Sequence, residues 1–217
     1  MTPRLAVFDC DGTLVDGQAA VCEAMEAGFS EVGIAPPPRS TIRRIVGLSL
    51  PVAIRNLVPD ADEDTCRLAV EAYRQAFFRM RSEGRVAEPL YDGIGELLTD
   101  LHGSGWTLGV ATGKSDRGLK NSLLIHGLFD LFTTLQTADR HPSKPHPSML
   151  EEAMADALAR PGSTVMIGDT TYDVEMARAA GARAIGVAWG YHSPDDLMDA
   201  GAEGVANNAA ELREMLR

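Results

Sequence analysis

Asp9 and Asp11 stand two apart in Asp9-Cys-Asp-Gly-Thr13, directly after a short apolar run. Residues two apart in an extended chain face the same way, so both carboxylates can enter one site while Cys10 turns elsewhere. Gly168-Asp-Thr-Thr-Tyr-Asp173 supplies a second pair, Asp169 and Asp173. Four carboxylates converging on one point repel strongly out of water. A hard divalent cation resolves that repulsion, and all-oxygen ligation with waters retained suits Mg²⁺. Thr112-Gly113-Lys114 offers a hydroxyl and free backbone amides where a helix begins, which favours an anion. A cation beside an anion cradle points to a bound phosphate. Lys144, in His141-Pro-Ser-Lys-Pro145, precedes the next helix and can balance the negative charge; the chain has three lysines against 17 arginines.

The elements that must position these groups can be read from apolar patterning. Short apolar runs at 5–8, 106–111, 164–167 and 184–189, and a weaker one at 133–137, read as strands. Helical patterns lie between them, at roughly 93–102, 115–126, 147–159 and 171–180. Strands alternating with helices predict an α/β fold with a Rossmann-like core, its parallel sheet covered by helices on both faces. In such sheets functional groups gather at the carboxyl ends of strands, where Asp9, Thr112 and Asp169 fall.

Residues 17–88 break the rhythm. They hold no convincing strand, and Ala69, Tyr73, Ala76, Phe77 and Met80 follow helical spacing. Their charge is nearly balanced, with ten acids and nine bases, while the whole 217-residue chain carries −11. This predicts an all-helical cap over 17–88 inserted into a core made of 1–16 and 89–217. The acidic balance disfavours nucleic-acid and anionic-membrane binding. No segment approaches a membrane span, and Cys10, Cys22 and Cys66 form no CxxC pair, so a reducing cytoplasm is expected. Cys10 reads as a small packed residue. His126, His141, His146 and His192 lack ligand spacing and read as surface or loop residues.

Taken together, Asp9-Cys-Asp-Gly-Thr13, Thr112, Lys144 and Gly168-Asp-Thr-Thr-Tyr-Asp173 resemble the four motifs of the haloacid dehalogenase superfamily, in order. Phe8-Asp-Cys-Asp-Gly-Thr-Leu-Val-Asp16 and Met176-Ala-Arg-Ala-Ala-Gly181 look like its phosphoglycolate phosphatase-like branch. The resemblance implies a Mg²⁺-dependent phosphatase acting on a small phosphorylated metabolite, with 2-phosphoglycolate the leading guess. Asp9 would be the nucleophile and Asp11 the general acid and base. Asp9, the Asp11 carbonyl and Asp169 would hold Mg²⁺, with Asp173 assisting. Thr112, Gly113 and Lys144 would hold the phosphoryl group. Related caps place substrate-facing residues where this chain has Arg43, Arg44 and Gly47; adjacent arginines diverge on a helix, so at most one faces the site.

Departures narrow the reading. Gly17 stands where the branch often has Ser, which weakens a helix cap. Related sugar phosphomutases carry Lys and Arg where this chain has Val46 and Leu50, which argues against a mutase. Asp11 argues against dehalogenation and against a non-hydrolytic phospho-acceptor module. The sequence leaves the oligomeric state open between monomer and dimer.

Overall fold

A computed structural model describes residues 3–217. Six strands form one parallel sheet: β1 (Arg4–Phe8), β2 (Trp106–Thr112), β3 (Thr134–Thr137), β4 (Thr164–Gly168), β5 (Arg183–Val187) and β6 (Val205–Ala206). Their spatial order is β3-β2-β1-β4-β5-β6, so the winding reverses on either side of β1. Phe8 is level with Val110 of β2 and Ile167 of β4. That register brings the ends of three strands to one crevice, the ligand site expected of open parallel sheets.

Strand residues 5–8 are all buried, as a sheet covered on both faces requires. Ala6 and Phe8 pack on one side, against α5 (Ile94–Gly103), α6 (Asp116–Ile125) and α10 (Ala209–Met215). Leu5 and Val7 pack on the other, against α7 (Ser148–Asp156), α8 (Thr171–Ala179) and α9 (Pro194–Ala200). The α/β expectation holds. Past Gly190, β6, α9 and α10 are additional to it: β6 has two residues, too few for a periodicity, and the two helices are seven residues each.

Between β1 and α5 lie α1 (Gln18–Glu31), α2 (Arg39–Arg44), α3 (Leu50–Leu57) and α4 (Glu63–Ser82). They share cores of their own. Cys22, Met25 and Phe29 of α1 meet Cys66, Ala69 and Val70 of α4, while Ala20 and Ala24 meet Ala76 and Met80. The pairing is antiparallel. The Asp62 side chain caps α4 by accepting from the Thr65 amide at 2.7 Å. The two connections to the sheet domain lie side by side: Asp16 N–H donates to the Pro89 carbonyl at 2.8 Å and Tyr91 N–H to the Leu14 carbonyl at 3.1 Å. No helix among the described residues is long and apolar enough to cross a membrane.

Candidate active site

Asp9 follows β1, and its amide donates to the Ile167 carbonyl of β4 at 2.9 Å. Its side chain is fully buried. Oδ1 accepts from the Cys10 amide at 2.6 Å and lies 3.0 Å from Lys144 Nζ; Oδ2 is buried without a partner among the described residues. Asp169 Oδ1 accepts from the Thr13 hydroxyl at 2.8 Å and Oδ2 from the Tyr191 amide at 2.9 Å. Asp173 Oδ1 accepts from Lys144 at 2.6 Å. Its Oδ2 takes the Thr170 hydroxyl and amide, which caps the start of α8. One oxygen from each of Asp9, Asp169 and Asp173 lies within 4.8 Å of the others.

Burial pushes the Asp9 carboxyl up; Lys144 opposes that and Asp173 adds to it. Asp169 is raised by burial first, then by Asp9 and Asp173. Burial opposes the charge on Lys144, but Asp173 and Asp9 outweigh it and raise the ammonium group. Three buried acids, one orphaned oxygen and a single buried ammonium make a donor set that fits a small hard cation. Lys144 is no solvated loop lysine; its side chain is fully buried.

Gly12 carries φ +86°, and a Cβ there would collide with the Asp169 carboxylate and the Tyr191 ring. Only glycine serves both the turn and the close approach. Asp11 lies outside the three-acid cluster. Its Oδ1 accepts from Lys114 Nζ at 2.6 Å, and Lys114 also donates to Glu88 Oε1 at 2.8 Å. Arg81 closes the chain on Glu88 Oε2 at 2.7 Å. Burial works against the Glu88 charge, yet Lys114 and Arg81 hold its carboxyl below the usual range. These ion pairs run from the first motif through the second connection to α4. Gly17 begins α1 with no side-chain cap, and a Cβ there would sit 3.1 Å from Asp11 Oδ1.

The loop after α2 lies against the strand ends. A Cβ on Gly113 would come within 2.7 Å of the Gly47 carbonyl and 2.5 Å of the Leu48 carbonyl. The Ser49 amide donates to the Ser143 hydroxyl, next to Lys144, at 2.8 Å. Gly113→Ala is therefore expected to push the helical unit off the sheet and lower kcat/KM by about 10- to 100-fold, because sub-ångström positioning is lost. Steady-state kinetics on a phosphate ester check this; unchanged kcat/KM would show that this contact is dispensable.

Arg43 and Arg44 require a correction. Both are exposed and neither borders the crevice; Gly47 does. Arg44 instead pairs with Asp196 at 3.7 Å, and its carbonyl accepts from Tyr172 at 3.1 Å and from His192 at 3.0 Å. His192 is corrected too. It is buried, and its Nδ1 accepts from the Thr171 amide at 3.1 Å, so the proton sits on Nε2 and reaches Arg44 across the interface. His126 Nε2 likewise holds the Glu88 carbonyl at 2.7 Å.

The model of the family described as haloacid dehalogenase-like hydrolase matches residues 6–187. The chain belongs to that family. "Probable phosphatase IndB" of Dickeya dadantii (strain 3937) is 36% identical over 210 residues, 96% of this chain and 91% of that one. "Tyrosine-protein kinase PtkA" of Mycobacterium tuberculosis (strain ATCC 25618 / H37Rv) is 32% identical over 221 residues, 99% of this chain and 73% of that one. "Phosphoglycolate phosphatase" of Vibrio vulnificus (strain CMCP6) is 27% identical over 220 residues, 98% of this chain and 96% of that one. The expected resemblance to the phosphoglycolate phosphatase-like branch holds.

In this haloacid dehalogenase-like hydrolase a cavity of about 440 Å³ opens between the strand ends and the helical unit. Asp9, Asp11, Thr112, Gly113 and Lys114 border it on the sheet side. Val46 and Leu50 border it on the helical side as hydrocarbon, and Arg74, Arg81 and Arg117 border it elsewhere. Cys10 is buried and free, and burial raises its thiol, as for a small packed residue.

Proposed function

We propose that the chain is a Mg²⁺-dependent phosphomonoesterase working through a phospho-aspartate on Asp9. The observation that carries this is Asp9 Oδ2, buried and unpartnered beside two further acids and a buried lysine. A group in that state is costly to keep unless chemistry uses it. Asp9, Asp169, Asp173 and the Asp11 carbonyl would hold Mg²⁺, which when bound offsets the repulsion between the carboxylates and an incoming phosphate dianion.

In the first step Asp9 bonds to phosphorus, the ester P–O bond breaks, and Asp11 gives a proton to the departing alkoxide. In the second, Asp11 takes a proton from water, whose oxygen bonds to phosphorus while the Asp9 acyl–phosphate bond breaks. Inorganic phosphate leaves and Asp9 is restored. Thr112, the Gly113 amide and Lys144 hold the phosphoryl oxygens. Asp11 Oδ1 is held by Lys114, which fixes the carboxylate that serves the ester oxygen. Because Lys114 also grips Glu88 in the second connection, the proton step is tied to the position of the helical unit, the proposed cap of residues 17–88. That cap excludes bulk water when it rests on the strand ends.

The finer assignment to 2-phosphoglycolate has the name of the Vibrio relative behind it, but the arginine fork expected from Arg43 or Arg44 is missing from the cavity. The mutase alternative is disfavoured by Val46 and Leu50. Three free, buried cysteines support a reducing compartment such as the cytoplasm.

Chelation is expected to reduce hydrolysis of 4-nitrophenyl phosphate to background, and Mg²⁺ to restore it. Excess Ca²⁺ should inhibit, since its larger, looser shell misplaces the nucleophile. Full activity after exhaustive chelation refutes the metal assignment.

A further inference from the structure

Taking the phosphatase reading as its basis, we propose that the substrate is a phosphomonoester with a flat, largely apolar ring system and a second acidic group on that ring. A two-carbon acid such as 2-phosphoglycolate is not what the cavity is shaped for. The space of about 440 Å³ falls in the range of pockets that enclose ligands of drug size. A two-carbon phosphate would leave most of it to water, beside apolar walls that gain nothing from being wet.

The wall provided by α4 is aromatic. Tyr73, Phe77 and Phe78 all border the cavity. The Tyr73 and Phe77 rings stack with centroids 5.9 Å apart and 28° between planes, giving a broad apolar surface one turn long. Phe78 is 54% exposed. An aromatic ring half exposed at a cavity mouth is the kind of surface that a flat ligand covers. Val46 and Leu50 supply hydrocarbon across the cavity.

The rim supplies charge. Arg74 of α4 and Arg117 of α6 border the cavity, and neither forms an ion pair among the described residues. The Arg117 guanidinium lies over one face of the Phe78 ring, 5.2 Å from its centroid, with its donors free. Arg81, by contrast, is occupied by Glu88. A guanidinium with free donors on an aromatic ring fits a carboxylate carried on the ligand's ring. Arg117 belongs to the sheet domain and Phe78 to the helical unit. A ligand touching both therefore bridges the two parts and favours the closed arrangement.

The test uses esters that share a primary-alkoxide leaving group, so that chemistry does not bias the comparison. The wild-type enzyme with Mg²⁺ is given ethyl phosphate, 2-phosphoglycolate, 2-(2-naphthyl)ethyl phosphate and the same naphthyl ester with a carboxylate on the distal ring carbon. The expected kcat/KM for the naphthyl ester exceeds that for 2-phosphoglycolate by about tenfold or more, and the ring carboxylate adds about tenfold. Phe78→Ala should shrink the naphthyl-to-ethyl ratio by about tenfold, and Arg117→Gln should remove the gain from the carboxylate. If 2-phosphoglycolate equals or beats the naphthyl ester, the proposal is overturned while the phosphatase reading stands. The same holds if Phe78→Ala lowers all four esters in proportion. If none of the four esters nor 4-nitrophenyl phosphate is hydrolysed, the phosphatase reading fails and takes this inference with it.

Discussion

Asp9→Asn is expected to abolish turnover while leaving the fold as stable as before or slightly more so. An amide is a poor nucleophile and a poor ligand for a hard cation, and both roles are proposed for this one side chain. A loss of at least about a thousandfold in kcat follows. The stability half of the prediction comes from the surroundings. Asp9 is buried beside Asp173 and Asp169, and burial and repulsion raise its carboxyl. A raised carboxyl means that the folded state prefers the protonated form, so ionised Asp9 destabilises the fold as pH climbs past the usual carboxylate range. Asparagine mimics the neutral form at every pH. Lys144 keeps Asp173 as a partner at 2.6 Å, so no cation is stranded. A thermal melt should show an unchanged or higher Tm in metal-free buffer, alongside lost phosphate release. Activity within about tenfold of wild type would sink the covalent mechanism.

Lys144→Met should do damage on both counts. Lys144 Nζ is the cation paired with Asp9 and Asp173, and the side chain is fully buried. Methionine fills similar volume without charge and leaves two buried carboxylates facing each other. Breaking a buried pair from one side costs about 3–5 kcal/mol, which for a chain of this length lowers Tm by about 6–20 °C. Millimolar Mg²⁺ should recover part of that loss, since the cation would take over some of the compensation. Phosphate release should fall at least about a hundredfold even in the Mg²⁺-stabilised protein, because the phosphoryl oxygens would lose the ammonium donor proposed for them. A wild-type Tm and near-normal rates would instead mark Lys144 as a bystander.

The residues that end strands were legible in the sequence; the residues that reach across the molecule were not. Asp9, Thr112 and Asp169 follow apolar runs, and β1, β2 and β4 do bring them to one crevice. A period of two or of 3.6 reports on neighbours within one element. It says nothing about Lys114 meeting Glu88, 26 positions away, or Asp11, 103 positions away. The burial of Lys144 was hidden for the same reason, since a lone lysine in a loop ordinarily faces solvent. For Arg43 and Arg44 the divergence of adjacent helix positions left room for one of them to face the site, but α2 turns both outward and offers the site the loop that follows. His192 carried no spacing signal, because its partners are backbone groups at Thr171 and Arg44.

The adjacency of the two connecting segments also bears on how the chain assembles. β1 lies in the middle of the sheet, yet its partner β2 begins at Trp106. Closing so long a loop at once would be entropically slow. Residues 20–80 can collapse locally first, through the α1 and α4 pairing, and that collapse draws Leu14–Asp16 and Pro89–Tyr91 together. The remaining gap between β1 and β2 then behaves as a loop of about twenty residues rather than about one hundred, a saving of about 1–2 kcal/mol in closure entropy. The inserted helices thus act as a splint for the newborn sheet: a destabilised α1–α4 pair would delay formation of β2, a strand that contributes nothing to the cores the pair shares.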